Sequence, residues 1–268
     1  MWKGNREEFM TTANFRRLLL RGSDWLNRRL RRTLDRSAAF YPANEFCQIP
    51  GLSGLFELYL GRKADGVFVE VGANDGVYVS NTWGLAERGW RGLMIEPVPE
   101  LAAACVKNHL SHPEVSVIQS AVGAPGVQEV ELYLAGALTT ASSDVLNEYR
   151  DLTWAQSQLT QATITVPCST LNGLLDSHGI QPGFDVLVVD VEGFESDVFS
   201  GFDVAKWMPR LMIVELTDSH TQLRSRAVDD AHLQDSILES GYSIVFKDMA
   251  NTVFVRRDVR RDALVGLG

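Results

Sequence analysis

A chain of 268 residues, 45% hydrophobic and 22% charged, is long enough to bury a sizeable core as one domain plus an appendage, and its composition is that of a soluble globular enzyme. No apolar run reaches the roughly 18–20 residues that span a bilayer, no signal-peptide apolar region opens the chain, and Cys47, Cys105 and Cys168 lack metal or redox spacing, as expected of reduced thiols in a cytoplasmic protein. The net charge of −9 is uneven: residues 1–36 carry ten Lys and Arg against four acids, and the rest carries fifteen against thirty, so an acidic body argues against nucleic acid as a partner.

Residues 1–63 read as a basic helical arm with a lead-in segment, and 64–268 as the main domain. From Asn14 to Arg36, Phe15, Leu18, Leu19, Trp25, Leu26, Leu30 and Leu34 recur at helical steps among arginines. Such a helix either packs its leucine face on the acidic body or makes peripheral contact with an anionic membrane or an acidic partner. After a short helix around Leu52–Leu60, Val67–Val71 has strand character and breaks at Gly72. A helix is predicted over 77–88, a strand over Gly92–Ile95, a helix over Pro99–His109 and a strand over Val115–Gln119, a rhythm that implies a parallel sheet with helices on both faces. Val127–Leu134 alternates like an exposed strand. Residues 135–161, without clear periodicity, read as an insertion that could cover a substrate, and Ala162–Cys168 returns as a strand. Thr170–Ser177 is predicted helical, Asp185–Val189 and Leu211–Val214 as buried strands, Glu195–Gly201 and Val228–Ser240 as helices, and Tyr242–Phe246 with Thr252–Val255 as a closing hairpin.

The order Glu70-x-Gly72-x-Asn74-x-Gly76 differs from the G-x-G-x-x-G of dinucleotide folds. An acid at that strand end repels a pyrophosphate but suits the ammonium and sulfonium of S-adenosylmethionine (SAM). Four strands each end in one acid: Glu70, Glu96, Asp190 and Glu215. In an open parallel sheet those ends line the ligand crevice, where four acids repel one another unless a cation or a hydroxyl-rich ligand joins them. Glu96, twenty residues past Gly76, is placed to receive a ribose diol.

The segments V-F-V-E-V-G-A-N-D-G, S-N-T-W-G-L-A-E-R-G-W-R-G-L-M-I-E-P, D-V-L-V-V-D-V-E-G-F-E and L-M-I-V-E-L resemble the FkbM family of SAM-dependent methyltransferases, from about Gly66 to Glu215. The resemblance implies the class I methyltransferase fold, an α/β architecture with a mostly parallel seven-stranded sheet, and methyl transfer to a hydroxyl on a small-molecule, sugar, glycan, glycolipid or polyketide acceptor. By position it assigns Glu70, Gly72, Asn74, Asp75 and Gly76 to the SAM loop, Glu96 to the ribose, and Ser120 and Ala121 to the adenine contact. The chain departs from the family pattern at Asn172, where an aspartate is usual, and at Val188, where many members have lysine.

An alcohol needs a base or a metal to relieve it of its proton. Asp190 or His220 is a candidate base, with Glu215 orienting it. Alternatively Asp190, Glu192 and Glu215 supply oxygen ligands to Mg²⁺. A binding protein that keeps the fold without turnover, or an NAD(P)-dependent oxidoreductase, are the competing readings. His109 and His112 are expected at a solvent-facing helix end, and Trp83 and Trp90 in the core.

Overall fold

Largely apolar runs rich in Val, Ile, Leu and Met form the central strands because both of their faces are covered. A computed structural model describes residues 40–44 and 47–259, so the basic arm expected over 14–36 lies outside the described residues. The strands are β1 (Val67–Val71), β2 (Arg91–Ile95), β3 (Val115–Ile118), β4 (Ala121–Val122), β5 (Glu129–Tyr133), β6 (Thr163–Ser169), β7 (Val186–Val189), β8 (Leu211–Glu215), β9 (Tyr242–Lys247) and β10 (Asn251–Arg256). Seven of them make one sheet in the order β3-β2-β1-β7-β8-β10-β9. Only β10 runs antiparallel to its neighbours, β8 and β9. This is the class I methyltransferase arrangement, and its hairpin falls where the sequence places it. The order reverses between β1 and β7, the switch point at which open α/β sheets take their ligands.

The helices are α1 (Leu52–Leu60), α2 (Trp83–Glu87), α3 (Pro99–Asn108), α4 (Ser143–Asp151), α5 (Leu171–Ser177), α6 (Glu195–Ser200), α7 (Val204–Trp207) and α8 (Ala227–Glu239). Alternation along the strands divides the core in two. Val69, Val71, Leu187, Val189, Met212 and Val214 pack on one face of the sheet, and Phe68, Val186, Val188, Leu211 and Ile213 on the other. At about 1.5–3 kcal/mol for each fully buried side chain, these two layers supply most of the drive to fold.

One expectation changes, and two features are added to the reading. The helix read over 77–88 occupies only Trp83–Glu87. Asp75 Oδ1 accepts the N–H groups of Val77 (2.9 Å) and Tyr78 (2.7 Å), Glu70 accepts that of Asn81 (3.1 Å), and Val79 sits at φ 55°, so carboxylates satisfy donors that a helix would pair internally. The 135–161 insertion is not structureless: Ser142 caps α4 by accepting the N–H of Val145 (3.3 Å). A second, three-stranded sheet of order β4-β6-β5 also stands beside the first.

One buried ion pair ties the lead-in segment to the sheet. Asp185, 2% exposed, accepts from Lys63 Nζ at 2.9 and 2.8 Å and from the N–H of Val67 at 2.9 Å. Asp185→Ala strands both donors, and the expected loss in urea denaturation is about 3 kcal/mol, at the low end for a buried pair because Lys63 is one-third exposed. A loss below about 1 kcal/mol would show the pair to be incidental.

Candidate active site

The carboxyl ends of β1, β2, β7 and β8 face a cavity of about 1440 Å³. One wall is the glycine turn. The N–H groups of Gly72 and Ala73 both donate to the carbonyl of Ile95 (2.9 and 3.1 Å), stitching the turn to β2. Gly72 has φ +83°, and a Cβ there would lie 1.7 Å from the carbonyl oxygen of Asp190, so only glycine fits. Asn74, at φ 52°, follows in the left-handed region, and its Oδ1 accepts the N–H of Asp75 (2.7 Å). At Gly76 a Cβ would meet His109 Nε2 at 2.6 Å and Cys105 Sγ at 2.7 Å.

Glu96 lines the next wall. It is buried, and it accepts from the N–H of Asn74 (2.8 Å) and of Val98 (2.9 Å). Burial pushes its carboxyl above the usual range, and those two bonds pull it back. A carboxylate offers about four lone-pair positions, so it keeps acceptor capacity for a ligand diol. Ser120 and Ala121 lie further along; Ser120 Oγ donates to the carbonyl of Ala121 (2.7 Å).

Glu70 stands apart. Successive side chains on a strand face opposite ways, and Glu70 shares the face of Phe68 whereas Val71 lines the cavity. Its carboxylate takes Thr82 Oγ1 (2.7 Å), Ser80 Oγ (3.1 Å) and the N–H of Asn81 (3.1 Å). Burial pushes it up to about 7, against the pull of those donors. The reading of Glu70 as counter-charge to a cofactor is therefore corrected: it anchors the loop that leads into α2. Asp75 likewise grips backbone and does not line the cavity.

Asp190, Glu192 and Glu215 form the floor. One carboxylate oxygen from each lies within 4.8 Å of the others. Each keeps some accessibility towards the hollow, with protein on every other side. Burial raises all three: Asp190 to about 6, opposed by a hydrogen bond from Glu215, and Glu192 and Glu215 well above the carboxylate range, with their mutual repulsion adding to the shift. Glu192 has φ 54° and is followed by Gly193 at φ 92°, a bend that turns its side chain back towards the strand ends. Glu195, which opens α6, accepts the N–H groups of Val191 (3.0 Å) and Gly193 (3.3 Å) and so holds that bend.

Burial also pushes Glu195 up to about 8. A carboxyl raised from about 4.3 when unfolded contributes stability that is fully present below that value and lost as pH rises through the folded one. Glu195→Gln keeps an acceptor for both N–H groups and removes the charge. Thermal denaturation is therefore expected to show the variant gaining on the parent at pH 8 and not at pH 4. An equal effect at both would mean that the carboxyl titrates alike in the folded and unfolded protein, so that burial does not shift it.

His220 lines the cavity, and its Nδ1 accepts the N–H groups of Leu223 (2.8 Å) and Gln222 (3.1 Å). With Nδ1 occupied as an acceptor, the neutral ring carries its proton on Nε2 and offers the cavity a donor. The expectation of His220 as a base is corrected on that ground, and Asp190 remains. His109 and His112 are not solvent-facing: they are 4% and 9% exposed, with their Nδ1 atoms 2.9 Å apart and His109 Nε2 3.0 Å from the carbonyl of Gly76. Trp90 is fully buried, as expected.

Tyr149 was not anticipated. Its hydroxyl donates to Glu192, and Thr140 Oγ1 donates to the Glu192 carbonyl (2.6 Å). The signal was present in S-S-D-V-L-N-E-Y, a capped helix start with Val145, Leu146 and Tyr149 on one face.

The family model described as the methyltransferase FkbM domain matches residues 70–244, more than half of the chain, a span that holds the glycine turn, Glu96 and the three carboxylates of the floor. The chain belongs to the FkbM methyltransferase family. No curated protein matches it. Among solved structures, an O-methyltransferase from Bacillus cereus in complex with SAH is 13% identical, with 89% of this chain and 90% of that chain covered at a TM-score of 0.43. A putative O-methyltransferase from Klebsiella pneumoniae is 12% identical, covering 89% of each chain at 0.42. Precorrin-6y C5,15-methyltransferase from Geobacter metallireducens is 10% identical, covering 84% and 97% at 0.40. At those scores the likeness carries no argument, and the family rests on the sequence match. Among the described residues of this methyltransferase, no helix is long and apolar enough to cross a membrane.

Proposed function

We propose that this methyltransferase moves the methyl group of SAM to a hydroxyl of a small-molecule, sugar, glycan, glycolipid or polyketide acceptor, with Asp190 as the base. The observation that carries this reading is one cavity that joins the glycine turn and Glu96 to the three carboxylates of Asp190, Glu192 and Glu215. Its volume of about 1440 Å³ exceeds the roughly 300–1,000 Å³ of a single-ligand pocket, which leaves room for donor and acceptor together.

SAM, when bound, supplies an electrophilic methyl on a sulfonium, and the residues around it have to align and deprotonate. The backbone of Gly72 and Asn74 forms its rest, Glu96 accepts from the ribose, and Ser120 and Ala121 face the adenine. Asp190, raised to about 6, is ionised at neutral pH yet a stronger base than an ordinary carboxylate. Holding the hydroxyl in line with the methyl supplies the remaining gain. His220 Nε2–H is a donor to the acceptor's other oxygens.

The oxygen-only donor set also fits a hard cation. Asp190, Glu192 and Glu215 would hold Mg²⁺, which would acidify the hydroxyl as a Lewis acid. Titration with S-adenosylhomocysteine, then methyl transfer to a panel of hydroxylated acceptors with and without EDTA, tests both readings. Failure to bind sinks the SAM reading. Activity that survives EDTA removes the metal, and loss restored by Mg²⁺ removes the unaided base.

We also propose that residues 135–161 act as a lid, since α4 reaches the floor through Tyr149, and that residues 14–36 give the cytoplasmic protein peripheral membrane contact. Sedimentation with anionic liposomes checks the latter. Equal binding after deletion of the arm would exclude it.

A further inference from the structure

Behind the glycine turn lies a buried pair of histidines that methyl transfer itself does not use, His109 at 4% and His112 at 9% exposure. We propose that His109, with His112 behind it, is a positioning residue that holds the Gly76 carbonyl and so sets the turn for the cofactor. This rests on the reading of residues 72–76 as the SAM turn and assigns a further residue to the same site.

Counting hydrogens orients the pair. A carbonyl oxygen only accepts, so the 3.0 Å contact between His109 Nε2 and the Gly76 carbonyl requires a hydrogen on Nε2. The Nδ1 atoms of His109 and His112 stand 2.9 Å apart, and the hydrogen bond between them uses one hydrogen. Burial lowers the His109 ring below its ordinary value, which favours the neutral form. A neutral ring with its hydrogen on Nε2 accepts at Nδ1, so the bridging hydrogen belongs to His112. Trp83 packs edge-on against both rings, at 5.2 and 5.1 Å between centroids, and holds them in this orientation.

The contact belongs to a larger grip by the two ends of α3. Just ahead of the helix, Glu96 accepts the N–H of Asn74 (2.8 Å). At its last residue, Asn108 Nδ2 donates to the carbonyl of Asp75 (2.8 Å), and His109 follows with its bond to Gly76. Three successive turn residues are thus tied to one helix, and Gly72 and Asn74 remain on the cavity wall for the ligand. Gly76 itself permits the approach, since a Cβ there would lie 2.6 Å from His109 Nε2. A buried carbonyl needs a donor, and here the ring supplies one.

Isothermal titration of the full chain with S-adenosylhomocysteine reads the effect. His109→Phe keeps a ring in the space and strands the Gly76 carbonyl, and affinity is expected to fall about tenfold. His109→Gln carries an amide N–H as many bonds from the backbone as Nε2, and should recover most of that loss. His112→Phe should weaken binding less than His109→Phe, and should add nothing in a His109→Phe background, because it acts through His109. Parent affinity in His109→Phe, no recovery in His109→Gln, or a further loss in the double variant overturns the proposal. A second measurement needs no substitution in the protein observed and no ligand. Nitrogen-15 NMR of the parent with ring-labelled histidine at neutral pH, the His109 signals assigned by their absence in His109→Gln, should show a hydrogen on Nε2 and a bare Nδ1. Any other pattern overturns the assignment. Failure of the parent to bind S-adenosylhomocysteine sinks the cofactor reading instead, and the ring spectrum still decides the histidine pair.

Discussion

Gly72→Ala is expected to abolish S-adenosylhomocysteine binding, with a fall of at least about a hundredfold in affinity by isothermal titration. Two costs act together. The backbone at φ +83° already penalises a Cβ by about 1–2 kcal/mol, and that Cβ would stand 1.7 Å from the Asp190 carbonyl, well inside any real contact. Relief requires β1 and β7 to part at the switch point, where Asp190 N–H donates to the carbonyl of Val71 (3.0 Å). The same movement displaces the turn and the base, so cofactor affinity and methyl transfer should fail together. The control is Gly89→Ala: that position shares a positive φ of 78° but has nothing within 4 Å of the added carbon. It should lose stability modestly and bind normally. Equal behaviour of the two variants would show that backbone angle, not the approach of Asp190, governs the turn.

Asp190→Asn should lower the methyl-transfer rate by about 10²–10⁴-fold, the usual contribution of a positioned base, while S-adenosylhomocysteine affinity changes little. In the parent protein the rate should climb as pH rises through about 6 and then level off, because the base works only once ionised. The asparagine variant should lack that limb. A variant that binds and transfers at the parent rate would remove Asp190 from the chemistry and direct attention to Glu215.

The strand-and-turn frame was legible in the sequence because each central strand is an apolar run with one acid at or beside its end, a pattern that buried parallel strands leave. Glu96, Asp190 and Glu215 were readable for the same reason: a strand end in such a sheet has one place to point. Glu70 was misread because the acid lies one residue before the strand's end, and a shift of one residue sends a side chain to the opposite face. The stretch 77–82, Val-Tyr-Val-Ser-Asn-Thr, is made of residues of low helix propensity, which the helical reading passed over. The carboxylates of Asp75 and Glu70 then hold its backbone in a turn, a reach that no periodicity reports. His109 and His112 follow α3 at a spacing that resembles an exposed end, yet Trp83 packs against both rings at 5.2 and 5.1 Å between centroids and closes them in. Tyr149 was missed because its partner lies 43 residues away in a different element.

The strand order has a bearing on how the protein is made. β10 fills the space between β8 and β9 although it is the last of the ten described strands along the chain. Once Lys247 has emerged from the ribosome and before Asn251–Arg256 has followed, β8 is unpaired along one side and β9 has no neighbour to join. Both are open templates for foreign strands until Asn251–Arg256 arrives and slots between them. Synthesis thus leaves a short interval of vulnerability between the appearance of β9 and that of β10, when nascent chains most need shielding from one another.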